Sequence, residues 1–548
     1  MKKIVLLATL FLAIMLGYNT SNGCTNVLVS SGASSDGSVM ITYHADAGGF
    51  MEPLRFHTHM DYGPGTMLDI YEWDSGKLLG SIPQVAHTYS VIGNMNEHQV
   101  SVGETTFTGL EFLKDSTGLI DYGSMMYLAL LRAKTAREGI DVMVDLVTKY
   151  GYYSTGESIS IADKKEAWIF EIIGKGPGNK GAIWVARRVP EGYICVHANQ
   201  ARIREVPLND PENCLYAPDI ISFAKEKGIY KERNGKFSFA DTYCPLDPGS
   251  LLYCEGRVWT VFKKAAPSQN FSDDYWRAVE GAEPYPLFIK PDKKLSVADV
   301  MSIIRDHFDG TPYDMTKGLA AEPYGNPCRW KPLEWQIDGD TVNSYGWERP
   351  ISTQQTAFSF VSQMRKNMPD EIGGVFWYAV DDNFSSVYIP LYCCMTRPPE
   401  SYTGHSIADF SLESAFWVFN LVANLAYTKY SFAIKDIQIV QSEFENKFHS
   451  LQPAVEKTAT ELMKTNRELA VEYLTDYSCS QAELVMTRWK SLWRYMVMKY
   501  NDGFINDVNV EHGRHPKSSY YSQEFYKRVL QERPGYYDVK WKKKNSTP

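Results

Sequence analysis

Several familiar marks of hydrolytic chemistry are missing from this sequence. It has no HExxH and no GxSxG, which sets aside the helix-borne zinc peptidase and the serine nucleophile elbow. It has no CxxC pair and no His/Cys spacing that suggests zinc. Beyond the first 23 residues no window offers 18 uncharged apolar residues, so no membrane-spanning helix is expected in the rest of the chain. Basic clusters are scarce too. The net charge is −9, and the only basic run is the tail "KWKKKNSTP", so nucleic acid is not an expected partner. Internal repeats and low-complexity tracts are absent.

What is present fits a large globular protein. Apolar residues make up 44% and charged residues 22% of 548 residues. That length exceeds one ordinary core, so a large domain with a smaller one is expected. The 35 tyrosines and 13 tryptophans suit peptide or carbohydrate pockets, and they also fill large cores. Nine cysteines occur: Cys24, Cys195, Cys214, Cys244, Cys254, Cys328, Cys393, Cys394 and Cys479. In an exported chain an odd cysteine is either reactive or paired between chains.

The front of the chain reads as an export leader over residues 1–23. Lys2 and Lys3 precede an apolar run from Ile4 to Gly17, and "YNTSNG" closes it on a small residue. The expected location is periplasmic or secreted. Cleavage after Gly23 leaves Cys24 first. Lipoprotein processing favours an aliphatic residue three places before the cysteine, and Ser21 stands there. Three roles stay open for Cys24: a lipid anchor, half of a disulfide, or a reactive group.

"CTNVLVSSG" alternates and is β-branched, so it predicts a strand. "GASSDGS" predicts a turn at Asp36-Gly37, and "VMITYHAD" predicts the returning strand. The hairpin brings Cys24 and Asp46 close together. "NMNEHQVSVGETTFTG" predicts a turn and a strand. Ser124 to Tyr150 has helical spacing, interrupted near Gly139, and predicts two helices. "SISIADKKEAWIFEIIG" and "AIWVARRVPEGYICVHANQ" each predict a hairpin. Stacked α and β layers follow from this order. "RPPESYTGHS" reads as a connector. From about Asp409 a long stretch carries no glycine and only Pro453, with apolar residues at helical spacing, so two to four helices are expected.

An N-terminal cysteine carries its own candidate base. A thiol needs one at neutral pH, and a free α-amine titrates near ~7.7–8.0. The amine takes the thiol proton and later protonates a leaving amine. Asp46, returned by the hairpin, is placed to orient it. The oxyanion needs amide or backbone donors.

"CTNVLVSSGASSDGSVMITYHAD" resembles the start of the C69-type dipeptidases, which are N-terminal nucleophile (Ntn) hydrolases and cousins of penicillin V acylases and bile salt hydrolases. "NEHQVSVGETTFTG", "VHANQARI", "YCEGRVWTVF", "RDHFDGTPYDMTKG" and the segment from "RPISTQQTAFSF" to "SSVYIPLY" resemble further blocks of that family, in order. The resemblance implies an α+β fold, a four-layer αββα sandwich, over residues 24–400, with an α-helical C-terminal region over 401–548. It implies Cys24 as nucleophile, Asp46 as holder of the amine, and Asn199 as orienting and oxyanion residue. Thr106 falls where relatives carry an oxyanion-hole asparagine, and Arg257 matches a site-lining arginine. Many relatives carry an arginine three residues before the aspartate, where this chain has Tyr43 followed by His44. Either Arg257 and the amine supply the positive potential, or His44 contributes.

The expected activity is hydrolysis of short peptides through a thioester, with a closed pocket of acidic and aromatic residues reading the free amino end. No metal or organic cofactor is called for, and an oligomer is compatible with everything above. An amidase acting on N-acyl amino acids or bile salts needs the same machinery. A surface lipoprotein without catalysis is the alternative from another class.

Overall fold

A computed structural model describes residues 23–330, 333–339, 343–508 and 517–539. Of the expected leader, residues 1–23, only Gly23 falls within these residues, and the basic tail lies outside them.

The opening hairpin forms as its pattern predicts. β1 (Asn26–Val29) pairs antiparallel with β2 (Val39–Asp46), Leu28 opposite Ile41. Gly37 supplies a φ of 76° in the turn, which a side chain would disfavour. At the open end the Gly23 N–H reaches the Asp46 carbonyl at 2.9 Å.

Two antiparallel sheets carry the chain. β3 (Ser101–Thr108), β4 (Gly156–Ala162), β5 (Ala167–Gly174) and β6 (Ala182–Arg188) form the middle of an eight-stranded sheet. β7 (Ile194–His197), β8 (Thr356–Met364), β9 (Gly374–Val380) and β10 (Ile389–Tyr392) join the first hairpin in a seven-stranded sheet. Its order is Phe288–Ile289, β7, β1, β2, β8, β9, β10.

The second expected hairpin does not form. β6 pairs with β5 in one sheet, while β7 pairs with β1 in the other. The "VPEG" segment turns the chain across the gap instead of back on itself. Ser30 fixes this crossing by accepting the N–H groups of Gly192 and Tyr193. The consequence is functional, since β7 delivers Asn199 to the end of β1.

His197 bolts the sheets together from β7. Its ring nitrogens meet Thr105 Oγ1 at 2.7 Å and Ser160 Oγ at 2.8 Å, and burial lowers its pKa to about 3, so the ring is neutral. The opposite face of the same strands packs Val102, Ile159 and Ile161 on α1 (Tyr122–Arg132) and α2 (Ala136–Tyr150). The two helices divide at residues 133–135, not at Gly139. Thr135 caps α2 by accepting the Glu138 N–H. Gly139 lies inside α2, where a Cβ would stand 2.4 Å from Ile161 Cδ1; close helix–sheet packing explains the glycine.

The seven-stranded sheet shares a core with α3 (Gly256–Ala265), α4 (Val297–Ile304), α5 (Ala415–Tyr427), α6 (Tyr430–Met463) and α7 (Arg467–Tyr500). Two shielded ion pairs tie α6 down. Arg305 binds both oxygens of Glu445, and Arg365 binds both oxygens of Glu456. Breaking such a pair costs about 3–5 kcal/mol, because it strands a buried charge. All nine cysteines are unpaired. Among the described residues no helix is long and apolar enough to cross a membrane.

Gly103 lets the sheets approach where the hairpin meets β3. A Cβ there would lie 2.9 Å from both Asn26 Nδ2 and Tyr43 Cβ. Gly103→Val is therefore expected to destabilise the protein by about 1–3 kcal/mol, read as a lower denaturation midpoint. An unchanged midpoint would show that the gap is not set here.

Candidate active site

Cys24 stands at the mouth of β1 with 5% of its surface exposed. Its carbonyl accepts from Arg257 Nη1 at 2.5 Å. Arg257 opens α3 and is fully buried. Its remaining donors reach Thr25 Oγ1 at 2.9 Å, the Tyr253 carbonyl at 2.7 Å, the Ala198 carbonyl at 3.2 Å and Asn199 Oδ1 at 2.9 Å. Burial and the nearby Arg349 lower its pKa to about 10, which leaves it charged at neutral pH.

Asn199 links this group to β3. Its Nδ2 donates to the Thr106 carbonyl at 2.8 Å. Its own backbone is left-handed, φ 62°, an unusual state for a residue with a side chain. Both strands nearest the site also break register. β3 is irregular between Thr106 and Thr108, and β2 between Ala45 and Asp46, so that Asp46 faces Thr356. Bulges of this kind re-aim side chains. Asp46 Oδ1 accepts from Thr356 Oγ1 at 2.8 Å, while Oδ2 is buried without a partner. Burial raises the Asp46 pKa from 3.8 to about 7, against the pull of Arg349 and the Thr356 hydroxyl.

The five residues picked out from sequence thus converge. Cys24, Arg257, Asn199 and Thr106 form one hydrogen-bonded chain, and Asp46 lies against the Gly23–Cys24 junction. His44 does not join them. Its Nε2 meets Asn383 Nδ2 at 2.7 Å, and burial lowers its pKa to about 3, so it offers no charge.

Four further residues belong to the site. Tyr43 takes the place beside the sulfur, with its hydroxyl 3.9 Å from Sγ and donating to Glu104 Oε1 at 2.5 Å. Glu104 Oε1 is itself 3.6 Å from Sγ. Glu157 shares a face with Glu104, since it pairs with Thr106 across the sheet. Alternation along "GETTF" puts Glu104 on the face of Thr106, a readable signal. Arg349 is the fourth; it opens the "RPISTQQTAFSF" block, and nothing in that block points to the site. Its guanidinium lies so close to Gly23 that a Cβ there would fall 1.5 Å away. Burial, Glu104 and Asp46 hold the Cys24 thiol well above its usual range, so it is protonated as placed.

A cleft opens beside Tyr43, lined by Glu52, Arg55, Trp73, Tyr122 and Tyr127 among others. Arg55 pairs with Glu52 and lies 3.6 Å over the Trp73 ring. The Tyr122 hydroxyl donates to Asp74 at 2.7 Å.

Comparison with known proteins fits this picture. The model of peptidase family C69 matches residues 65–443, a stretch that holds Thr106, Asn199 and Arg257 and begins after Cys24 and Asp46. A probable dipeptidase of Salmonella dublin is 28% identical over 408 residues, covering 70% of this chain and 83% of that protein. A probable dipeptidase of Latilactobacillus sakei is 26% identical over 477 residues, covering 82% and 92%. Dipeptidase A of Lactobacillus helveticus is 25% identical over 427 residues, covering 74% and 82%. The protein is a hydrolase of the peptidase class. It belongs to peptidase family C69.

The raised Asp46 pKa makes a stability prediction. The fold favours the neutral carboxyl, so its contribution is complete below about pH 4 and is lost as pH rises toward 7. Measured against Asp46→Asn by urea unfolding of the chain that still carries Gly23 ahead of Cys24, stability is expected to decline across that window. A constant difference would mean that the carboxyl is not held neutral.

Proposed function

We propose that this peptidase is an exported dipeptidase whose nucleophile is the thiol of Cys24, freed as the first residue by removal of residues 1–23. The reading includes an Ntn-type arrangement, with the two sheets stacked between helix layers. Its main support is the convergence on Cys24: Arg257 on its carbonyl, Asn199 and Thr106 bound behind, and Asp46 at its amino side. The names of the relatives support the dipeptide substrate.

Burial of Asp46 favours a cation beside it. Oδ2 has no partner, and a carboxylate in such a place gains from a nearby positive charge. The α-ammonium of a terminal Cys24 supplies it. The amine in its neutral form then takes the thiol proton, which offsets the penalty that burial places on the thiolate. Arg257 and Arg349 add positive potential, so the arginine missing at position 43 has substitutes.

In the reaction the thiolate attacks the scissile carbonyl, and a carbon–sulfur bond forms. The second N–H of Asn199 Nδ2 and the Thr106 backbone N–H are the candidate oxyanion donors. Collapse breaks the carbon–nitrogen bond, and the α-ammonium gives its proton to the departing amine. Water, deprotonated by the same amine, then cleaves the thioester. The buried position of Sγ, between Tyr43 and Glu104, supports a free thiol over a lipidated one.

Cys24→Ser is expected to lower kcat/KM on dipeptides by roughly a thousandfold or more while the protein still folds. One residue added ahead of Cys24 in the processed chain is expected to abolish turnover, because the base becomes an amide. Mass spectrometry of the first residue accompanies both assays. Turnover retained by either variant would remove the assigned mechanism, and hydrolysis of N-acyl amino acids in place of dipeptides would change the substrate class.

A further inference from the structure

The carboxyls around Tyr43 have no use in the scheme above. Glu104 and Glu157 are both buried with their carboxyls within hydrogen-bond reach of each other, and neither Oε2 meets any other donor. Burial raises the pKa of each, and each further raises or is raised by the acids beside it. Asp74 lies within electrostatic reach of both, behind Tyr122. Glu52 closes the same cleft, but Arg55 already occupies it. Against Asp74, Glu104 and Glu157 the lining of the cleft supplies no cation other than Arg55. Held toward neutrality in this way, the acid pair would gain from a positive charge beside it.

Distance says where that charge belongs. A carbonyl carbon poised for attack stands about 3–3.5 Å from the nucleophile. In an aminoacyl group the α-nitrogen is two bonds further on, roughly 2.5 Å from that carbon. Glu104 Oε1 lies 3.6 Å from Sγ, within hydrogen-bond reach of such a nitrogen. Tyr43, whose hydroxyl donates to Glu104, also lines the cleft walled by Trp73, Tyr122 and Tyr127.

We propose that Glu104, backed by Glu157, binds the free α-ammonium of the substrate, and that the cleft beside Tyr43 holds the side chain of that first residue. This rests on Cys24 as the attacking group, which sets where the carbonyl lies. It makes the site a ruler one residue long. Peptides with a free amino end are cut after their first residue, and N-acylated ones place a neutral group against a buried acid pair.

Binding tests this apart from catalysis. The full chain carrying Cys24→Ala, its first residue checked by mass spectrometry, is titrated calorimetrically with leucyl-glycine, N-acetyl-leucyl-glycine and the des-amino analogue 4-methylpentanoyl-glycine. Leucyl-glycine is expected to bind about a hundredfold tighter than either analogue, since a site built for a polar group rejects ligands that lack it. Adding Glu104→Gln is expected to erase most of that preference and to leave affinity for the des-amino analogue unchanged. The proposal is overturned if the parent shows no preference, if the preference survives Glu104→Gln, or if all three ligands weaken equally. Should Glu104→Gln fail to fold by circular dichroism, Glu104→Asp replaces it. Withdrawing the carboxyl by one methylene must then cut the preference at least about tenfold, and an undiminished preference overturns the proposal. No result here depends on the thiol, so failure of the Cys24 assignment appears separately, in the turnover of Cys24→Ser.

Discussion

One buried guanidinium organises the candidate site. Arg257 has five N–H donors, and the structure gives each an acceptor drawn from the start of β1, the end of β7 and its own helix. A fully buried cation is tolerated only with such satisfaction. The requirement works in reverse as well. Since all five bonds must close together, Cys24, Thr25, Ala198 and Asn199 have one relative placement. The left-handed backbone of Asn199 is the strain that this placement holds.

Around that centre the interior is unusually polar for a region closed to water. His197 is neutral and paired with Thr105 and Ser160 between the sheets. The acids near Cys24 are different, because Asp46 keeps an unpaired oxygen and Glu104 and Glu157 have chiefly each other. Unpaired buried carboxyls work against stability. Glu104 lies 3.6 Å from the thiol, and a cation placed beside such acids would relieve the cost of burying them, which is what the proposed function and the proposed substrate contact both require.

Much of this was legible in the sequence because it depends on local rules. Alternation and the Asp36-Gly37 turn specify the hairpin, and the hairpin alone brings Cys24 to Asp46. The glycine-free stretch after Asp409 specifies long helices. Other features depended on which strands would meet. The "VPEG" turn reads as a hairpin until Ser30 and β1 draw β7 into the other sheet. Gly139 reads as a break until Ile161 is known to press on it. Tyr43 reads as the loss of an arginine, and only the fold shows that Arg349, more than 300 residues later, stands beside Gly23, one residue before the thiol. Glu104 was visible in "GETTF", but its burial was not.

Arg349 also constrains what precedes the thiol. With its guanidinium lying over Gly23, only hydrogen fits on that α-carbon. A bulkier residue before Cys24 would have to displace the end of the arginine side chain before the first strand could seat, so the position ahead of β1 couples the conformation of a distant loop to the identity of a single residue.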